Sequence, residues 1–356
     1  MVNSNKLDFT GQPIYIGMDV HNKSWSVSIH SAVCEHKTFT QPPNVDVLVN
    51  YLKRNFPGAS YHSVYEAGYC GFWIHDQLRE KGVACTVVNP ADVPTKDKER
   101  RTKRDQVDCR KLARSLRAGE LEGIYVPCRT RLEDRSLVRT QRSMVRKQTR
   151  CKNQIKAILR FYGIDLGEDQ AERRWSGRFL KALENIPMER ASGGVALQIH
   201  LEELKHLRKM ITTLGREIGV LARTDEYVVQ VRLLRTIPGI STLTAMILLT
   251  ELQTILRFPS LDELAAYVGL IPDTQGSGEV EHTGEITKRR HGQLRASLVE
   301  ASWVAVRKDP ALMMAFQKSC QRMRKTRAIV KIARKLLNRV RFVLKNQRPY
   351  VMGIVR

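Results

Sequence analysis

No two cysteines in this sequence are spaced as Cys-x-x-Cys, and the seven cysteines are scattered along the chain. This distribution excludes the usual zinc-finger spacing and the disulfide framework of a small secreted domain, so we expect a reducing, cytoplasmic setting. No apolar run approaches the ~20 residues that a membrane span requires. The first residues do not resemble a signal peptide, and internal repeats and low-complexity tracts are missing as well.

Acidic residues are scarce: 36 Asp and Glu stand against 60 Lys and Arg, which gives a formal net charge of +24. Residues 129–160 carry 11 basic and 2 acidic residues, and residues 318–348 carry 12 basic residues and no acidic one. Neutralisation of phosphates supplies most of the affinity of proteins for nucleic acid, so these two tracts indicate a nucleic-acid partner. Neither tract has the bulky aromatic face of a helix that lies on a membrane, which disfavours an anionic membrane surface.

The 356 residues suffice for two or three domains, and a hydrophobic fraction of 42% is typical of a folded protein. Strand and helix patterns alternate up to residue 125, which predicts an α/β domain of three layers over residues 1–125. The strand patterns cover residues 14–20, 25–33, 60–67 and 83–89, and the helix patterns cover residues 45–56, 71–82 and 105–119.

The rest of the chain is predicted to be all-α. Two long helical patterns, at 135–163 and 195–222, are joined by a less regular segment, so residues 126–225 predict an antiparallel helical arm for which a coiled coil is one arrangement. Residues 226–356 predict a mainly helical third domain. It contains a helix–hairpin–helix-like element at 233–252, a loop at 274–280 and a very basic helix over about 318–346.

Arginines recur at steps of three and four residues along the first helix of the predicted arm, so they share one helix face. A solvated face is the ordinary explanation, but the two nearby acids cannot offset this charge, and we favour contact with phosphates. The residues are Arg135, Arg139, Arg142, Arg146 and Arg150. A second predicted set, from the last domain, is Lys288, Arg289, Arg290, Arg295, Arg334 and Lys335.

Four carboxylates occupy the ends of predicted elements in the first domain. Asp19 lies near the end of the first strand and Glu66 near the end of the third, and Asp105 and Asp108 are three residues apart on one predicted helix. Helix caps and ion pairs with arginines are the ordinary roles for each. Taken together on so basic a chain, they predict a site for two Mg²⁺ ions that clamp the oxygens of a phosphodiester transfer.

The stretches IGMDVHNKSWSV, VYEAG and KRDQVDCRKLA resemble the ribonuclease-H-like (RuvC-like) domain of the DEDD-type insertion-sequence transposases, described as bridge-RNA-guided serine recombinases. The resemblance extends through the stretches FPS, LAAYVGLIP and GEITKRRHGQLRASLVEAS to nearly the whole chain. It implies a RuvC-like domain, a helical arm and a transposase domain. It also implies a nucleophilic serine in a short Ser-Gly motif before the basic segment, and by position this is Ser277.

Ser241 is the rival of Ser277, since it lies at the turn of the hairpin-like element, although it also has the position of a helix N-cap. Ser260, at the start of a helix, and Ser297, inside one, are poorer candidates. No Ser/His/Asp triad has a recognisable spacing, and the histidines near Ser277 in sequence, His282 and His291, have surface positions as their simplest explanation.

The resemblance further implies a covalent 5′-phosphoserine intermediate and a composite active site in a homo-oligomer, from dimer to tetramer. The implied partners are a noncoding bridge RNA and donor and target DNA, in a bacterial cytoplasm at the nucleoid. Two other functions stay open at this point. A RuvC-like nuclease that uses water would need the carboxylates but not Ser277, and a non-enzymatic nucleic-acid-binding scaffold would need neither.

Overall fold

The structure is a computed structural model that describes residues 8–94, 104–164, 175–277, 280–286 and 291–353, with backbone only for 273–277 and 280–286. Its contacts divide the chain into two compact units, Met1–Val126 and Pro127–Arg356. Among the described residues, no helix combines the length and apolar character that a membrane crossing needs. The further boundary predicted near residue 225 stays a prediction.

A five-stranded sheet forms the centre of the first unit, with strand order β3-β2-β1-β4-β5. β2 pairs antiparallel with both β1 and β3, whereas β4 pairs parallel with both β1 and β5. The strands are β1 Pro13–Val20, β2 Trp25–Ser31, β3 Glu35–Gln41, β4 Ser60–Glu66 and β5 Ala84–Val88. This sheet confirms the α/β class of the first domain and is consistent with a ribonuclease-H-like fold.

Helices cover both faces of this sheet. The helices are α1 Val45–Asn55, α2 Trp73–Glu80 and α3 Asp105–Arg117, with a short 3₁₀ turn at Pro90–Asp92. Ile14, Ile16 and Met18 of β1 share a core with α1 and α2. Side chains alternate between the faces of a strand, so residues 15, 17 and 19 lie on the opposite face, where α3 packs against β1. The core and the candidate site therefore use alternate residues of one strand.

Gly17 allows α3 to approach β1 closely. A Cβ at this position would lie well inside van der Waals contact with the backbone oxygen of Cys109 and the backbone nitrogen of Ala113. Neither of these atoms can rotate away as the end of a side chain could. A glycine here therefore sets the spacing that brings the first turn of α3 beside the end of β1.

We expect Gly17→Ala to destabilise the protein by about 1–3 kcal/mol, the usual cost of forcing extra atoms into a packed core. Urea unfolding followed by circular dichroism measures this loss. Gly215→Ala is the matched control: Gly215 is helical and an added Cβ would meet nothing within 4 Å, so alanine should be neutral or stabilising there. Equal stability of Gly17→Ala and the wild type would show that helix and strand are not in contact at this point.

The sequence analysis missed β3 and extended β2 too far, to residue 33. β2 ends at Ser31, whose backbone nitrogen donates to the carbonyl oxygen of Cys34 as the chain turns back into β3. β3, with the sequence EHKTFTQ, lies at the sheet edge with mostly exposed side chains. Its strand structure comes from backbone pairing with β2, and it has no apolar alternation that could reveal it.

The second unit begins with two long helices, as predicted, and a short one between them. They are α4 Arg129–Phe161, α5 Gly177–Glu184 and α6 Ala191–Leu221. Ile155 and Leu159 of α4 share a core with Leu201 and Leu204 of α6, and α5 adds apolar side chains to the same core. A coiled-coil arrangement of this arm stays a prediction.

The remaining elements confirm a mainly helical region. They are α7 Val228–Arg235, α8 Thr242–Leu252, a 3₁₀ turn at Ile255–Arg257, α9 Leu261–Val268, the hairpin β6 Pro272–Ser277 and β7 Val280–Ile286, then α10 Gly292–Lys308, α11 Pro310–Cys320 and α12 Lys325–Asn346. The single basic helix predicted over about 318–346 is wrong, because α11 ends at Cys320 and α12 begins at Lys325. Residues 321–324 contain no glycine or proline that could mark this break.

The loop predicted at 274–280 is instead the end of an antiparallel hairpin. Thr274 pairs with Thr283, and Ser277, the last residue of β6, pairs with Val280, the first residue of β7. The glycines within TQGSGEV suggested an irregular loop, whereas the β-branched residues of the flanking segments carry the strand pattern. Backbone pairing with Val280 thus fixes the main chain at Ser277.

Candidate active site

Asp19 and Glu66 lie at the ends of neighbouring parallel strands. Gly17 of β1 pairs with Val64 of β4, and Met18 with Tyr65, so the next residue of each strand is a carboxylate. Val64 shares a small apolar cluster with Leu112 of α3, which puts Val64 and, two residues on, Glu66 on the face that α3 covers. Asp19 lies on the same face, because side chains alternate along β1 and its neighbour Met18 belongs to the core on the other face.

Asp105 and Asp108 lie in the first turn of α3, and the structure brings Asp105 close to Asp19. The Nε2 atom of His21 lies 3.3 Å from Oδ2 of Asp19 and 3.7 Å from Oδ2 of Asp105. Asp105 was also a candidate N-cap, but it is the first residue within the helix, and Arg104 holds the N-cap position without a side-chain cap bond. The carboxylate of Asp105 is therefore not used in capping the helix.

Asp108 and Glu66 are joined by a lysine. The Nζ atom of Lys111 lies 3.4 Å from Oδ1 of Asp108 and 3.9 Å from Oε1 of Glu66. The side chain of Lys111 is only 7% exposed. All four predicted carboxylates thus belong to one cluster on the α3 face, in two pairs, each with a nitrogen between its members.

Burial raises the pKa of the Asp19 carboxyl, and the nearby charges of Asp105 and Asp108 raise it further, although His21 acts in the opposite direction. Such crowded negative charge is stabilised by a bound cation. Ligand atoms of Asp19, His21 and Asp105 lie within 4.8 Å of one another, which is close enough for one divalent ion. Carboxylate oxygens are the preferred ligands of Mg²⁺, so these residues fit a divalent metal.

The sequence analysis missed His21 and Lys111 as members of this cluster. His21 stood in a turn between two strands, although its place two residues after Asp19 was a usable signal. Lys111 follows Asp108 by three residues, the spacing that puts two side chains on one helix face. Neither residue was predicted, because a single basic residue in so basic a chain says little about whether it belongs to a functional site.

Ser277 is placed only by its backbone, at the end of β6. The rival Ser241 is confirmed as the N-cap of α8, where its Oγ accepts a hydrogen bond from the backbone nitrogen of Thr244 at 3.1 Å. Ser260 caps α9 in the same manner through Glu263, as expected. Ser297 is buried within α10, where its Oγ accepts a hydrogen bond from Arg142. These three hydroxyls all have structural partners.

Two arginines of the predicted stripe make contacts inside the second unit. Arg139 donates from Nε and Nη2 to the two carboxylate oxygens of Glu251, both at 2.7 Å. Arg142 reaches Ser297 of α10 at 3.1 Å. The stripe therefore also joins the arm helix to α8 and α10, a role that helical periodicity alone could not show.

The other predicted basic residues differ in exposure. Arg146, Arg150 and Lys335 are exposed, whereas Arg135 and Arg295 are half-buried. Arg334 forms an ion pair with Asp262. Lys288, Arg289 and Arg290 lie outside the residues that the structure describes. Phosphate binding by this set stays a prediction. Arg139 and Arg142 already bond to Glu251 and Ser297, whereas Arg146, Arg150 and Lys335 are exposed to solvent.

Glu251 is a fully buried carboxylate in the apolar helix α8. Besides Arg139, the Nε2 atom of His291 lies 3.0 Å from its Oε2, and Nδ1 of His291 accepts from the backbone nitrogen of Leu294. Burial alone would raise the pKa of Glu251, but the hydrogen bonds from His291 and Arg139 hold it at about 2. The expectation that His291 is a surface histidine is wrong, because it caps α10 and binds this buried acid.

A separate group in the arm, Cys151, His200 and Glu203, also has ligand atoms close together. The Sγ atom of Cys151 donates to the carbonyl oxygen of His200 at 3.3 Å. Burial raises the pKa of this thiol to about 11. A protonated thiol that already donates a hydrogen bond favours a packing role for this group.

Two family models match the chain. A DEDD transposase model of the IS110 type, described as Transposase, matches residues 16–164, and the Transposase IS116/IS110/IS902 family model matches residues 231–318. The first match contains the four carboxylates, and the second contains Ser277, Glu251 and His291.

Curated relatives agree with these matches. The chain is 30% identical to "Putative transposase y4qE" of Sinorhizobium fredii over 239 residues, which cover 67% of this chain and 57% of that protein. It is 28% identical to "Putative transposase y4rJ" of the same organism over 77% of this chain and 74% of the relative. The transposase of insertion sequence element IS1111A from Coxiella burnetii is 23% identical, with 76% of this chain and 74% of the relative covered. The chain thus carries a DEDD transposase domain of the IS110 type and a second domain of the IS116/IS110/IS902 transposase family.

Proposed function

We propose that this protein is an insertion-sequence transposase that cleaves and rejoins DNA strands. The observation that carries the proposal is the meeting of Asp19, Glu66, Asp105 and Asp108 on one face of the sheet, within a match to DEDD transposases. A cluster of acids on a chain with a net charge of +24 is suited to act on a polyanion only when a metal ion neutralises it. The DEDD domain likewise suggests use of a divalent metal, for which we propose Mg²⁺.

In this proposal Asp19 and Asp105 hold the metal, with Glu66 and Asp108 beside them. A divalent ion held there supplies charge that polarises a scissile phosphate and stabilises the oxygen that leaves. The protein fixes the geometry. The strand ends set the positions of Asp19 and Glu66, and close packing at Gly17 sets the position of α3 and its two aspartates.

Ser277 is the proposed nucleophile. Its Oγ attacks a DNA phosphorus, a P–Oγ bond forms, and the bond from phosphorus to the 3′ oxygen breaks. The serine hydroxyl loses its proton and the departing 3′ oxygen gains one, which leaves a 5′-phosphoserine on the protein. Backbone pairing of Ser277 with Val280 supports this role, because it holds the main chain of the residue at the end of a hairpin strand.

The net charge of +24 supports nucleic-acid partners, and the family resemblance implies which ones. We propose that donor and target DNA and a noncoding bridge RNA bind the basic tracts, including the exposed Arg146, Arg150 and Lys335. Lys288, Arg289 and Arg290, which lie outside the described residues, belong to the same proposal. A homo-oligomer, from dimer to tetramer, would bring the serine of one subunit to the carboxylates of another.

Ser277→Ala is expected to abolish a covalent protein–DNA adduct, because no hydroxyl then remains at the end of β6. The measurement incubates the protein, its RNA and end-labelled DNA with Mg²⁺ and follows the label on a denaturing gel. Ser241→Asn is the matched control, since asparagine removes the rival hydroxyl and keeps the helix cap. We expect this control to form the adduct at the wild-type level.

The outcomes separate the competing functions. An adduct that persists in Ser277→Ala and disappears in Ser241→Asn would move the nucleophile to Ser241. Clean cleavage without any adduct in the wild type would favour a RuvC-like nuclease that uses water. DNA binding without cleavage, unchanged when the four carboxylates are replaced, would identify a nucleic-acid-binding scaffold.

A further inference from the structure

Lys111 lies in the candidate site although the sequence analysis did not place it there, and its position is specific. It stands one turn beyond Asp108 and two turns beyond Asp105 on α3. Its side chain is 7% exposed, so the ammonium group lies inside the cluster and is not a solvated surface charge. A buried lysine needs a negative partner, and Nζ has two, Asp108 at 3.4 Å and Glu66 at 3.9 Å.

The cluster is therefore divided into two unequal halves. Glu66 and Asp108 already share a full positive charge from Lys111. Within the part of the chain that the structure describes, Asp19 and Asp105 share the imidazole of His21, which is half exposed. The demand for an external cation is thus concentrated at Asp19 and Asp105.

We propose that Lys111 takes the place of one of two divalent ions: its ammonium group holds Glu66 and Asp108, and a single divalent ion binds tightly at Asp19 and Asp105. This inference rests on the metal site of the proposed function and differs from the expectation of two ions. A divalent ion placed between Glu66 and Asp108 would meet the ammonium group at close range, and like charges at that distance repel strongly where water is scarce. Lys111 is a positioning residue for both carboxylates.

The test counts bound ions and does not depend on DNA. The full-length wild type, titrated with Mn²⁺ and followed by calorimetry and by electron paramagnetic resonance, is expected to bind one ion tightly per chain. Lys111→Met removes the charge and keeps the length of the side chain. We expect it to bind a second Mn²⁺ at least about tenfold more tightly than the wild type does. Two ions about 4 Å apart would also show a magnetically coupled spectrum.

Matched variants separate this effect from a general loss of charge or of folding. Lys81→Met removes another cation of the first unit, one that pairs with Asp46 on α1 at 2.6 Å, and should leave the count at one. Lys111→Arg keeps the charge and should also leave it at one. Lys111→Gln provides a second neutral variant should methionine disturb folding, which circular dichroism would reveal.

The results distinguish this inference from the function on which it rests. Two tight, coupled ions in the wild type, or an unchanged single ion in both Lys111→Met and Lys111→Gln, would overturn the role of Lys111 and leave the metal site intact. A wild-type chain that binds no Mn²⁺ would overturn the metal site itself and this inference with it.

Discussion

Asp19→Asn is expected to lower the rate of DNA strand cleavage by about 10²–10³-fold or more, the range seen when a group that stabilises developing charge is removed. Asp19 is the central carboxylate of the cluster: it contacts His21 at 3.3 Å and is affected by the charges of both Asp105 and Asp108. Asparagine has nearly the same shape, so the core around Met18 and Val20 should not change. The loss would be one of charge alone.

The same substitution is expected to raise stability in the absence of metal. The pKa of Asp19 is raised in the folded protein. The ionised carboxylate is therefore less favourable in the folded than in the unfolded chain, and this cost is present at any pH above the folded pKa. Removing the charge removes the cost. A residue that lowers stability and is needed for activity is typical of functional sites.

Two measurements on one protein check this prediction: strand cleavage with Mg²⁺, and thermal unfolding with a chelator at neutral pH. Asp46→Asn is the matched control, because Asp46 is an exposed residue of α1 that pairs with Lys81. This substitution should change neither the cleavage rate nor the melting temperature appreciably. Full activity of Asp19→Asn would contradict a role in the site. A lower melting temperature than that of the wild type would contradict the electrostatic argument.

Arg139→Met is expected to destabilise the protein by about 3–5 kcal/mol, because the buried carboxylate of Glu251 loses both hydrogen bonds from the guanidinium and keeps that from His291. Glu251 is fully buried, whereas Arg139 is about half exposed. The two members of the pair are therefore not equivalent. Glu251→Gln lets Arg139 turn towards solvent, so we expect a loss of only about 1–2 kcal/mol, close to that of hydrogen bonds to a charged group.

Urea unfolding of both single variants and the double variant measures the asymmetry. The double variant should be more stable than Arg139→Met alone, since it no longer contains a buried carboxylate that lacks its arginine partner. Arg146→Met, on the same helix but exposed, is the control and should stay within about 0.5 kcal/mol of the wild type. Equal losses for Arg139→Met and Glu251→Gln would show that burial of Glu251 does not decide the result.

The pH dependence of the wild type follows from the same pair. The pKa of Glu251 is depressed from 4.5 to about 2 in the folded protein. The stability that it contributes is fully present above pH 4.5 and is lost as the pH falls from there towards 2. Glu251→Gln should flatten this part of the stability profile.

The sequence predicted those parts of the fold that have a local signal. The alternation in IYIGMDV gave β1, and the spacing of Asp105 and Asp108 gave two carboxylates on one helix face. The edge strand β3 and the hairpin at Ser277 have little apolar alternation, since pairing with a neighbouring strand holds them. The sequence could not show these long-range partners.

The polar contacts inside the candidate site and inside the second unit could not be predicted from the sequence either. Lys111 and Glu251 are charges within helices, and a charge within a helix is ordinarily exposed. Their burial is decided by residues distant in sequence, Glu66 for the first and Arg139 and His291 for the second. Only tertiary structure brings these partners together.

The alternation of side chains along β1 also restricts where residues can be inserted or deleted. Ile14, Ile16 and Met18 fill the core, and Gly17 and Asp19 serve the site. Insertion or deletion of one residue before Asp19 would exchange the two faces and direct a carboxylate into the core. The turn between β2 and β3 carries no such constraint, and Val33 there is largely exposed. Tags and insertions in the first unit therefore belong at residues 32–34, whereas β1 does not tolerate a change of register.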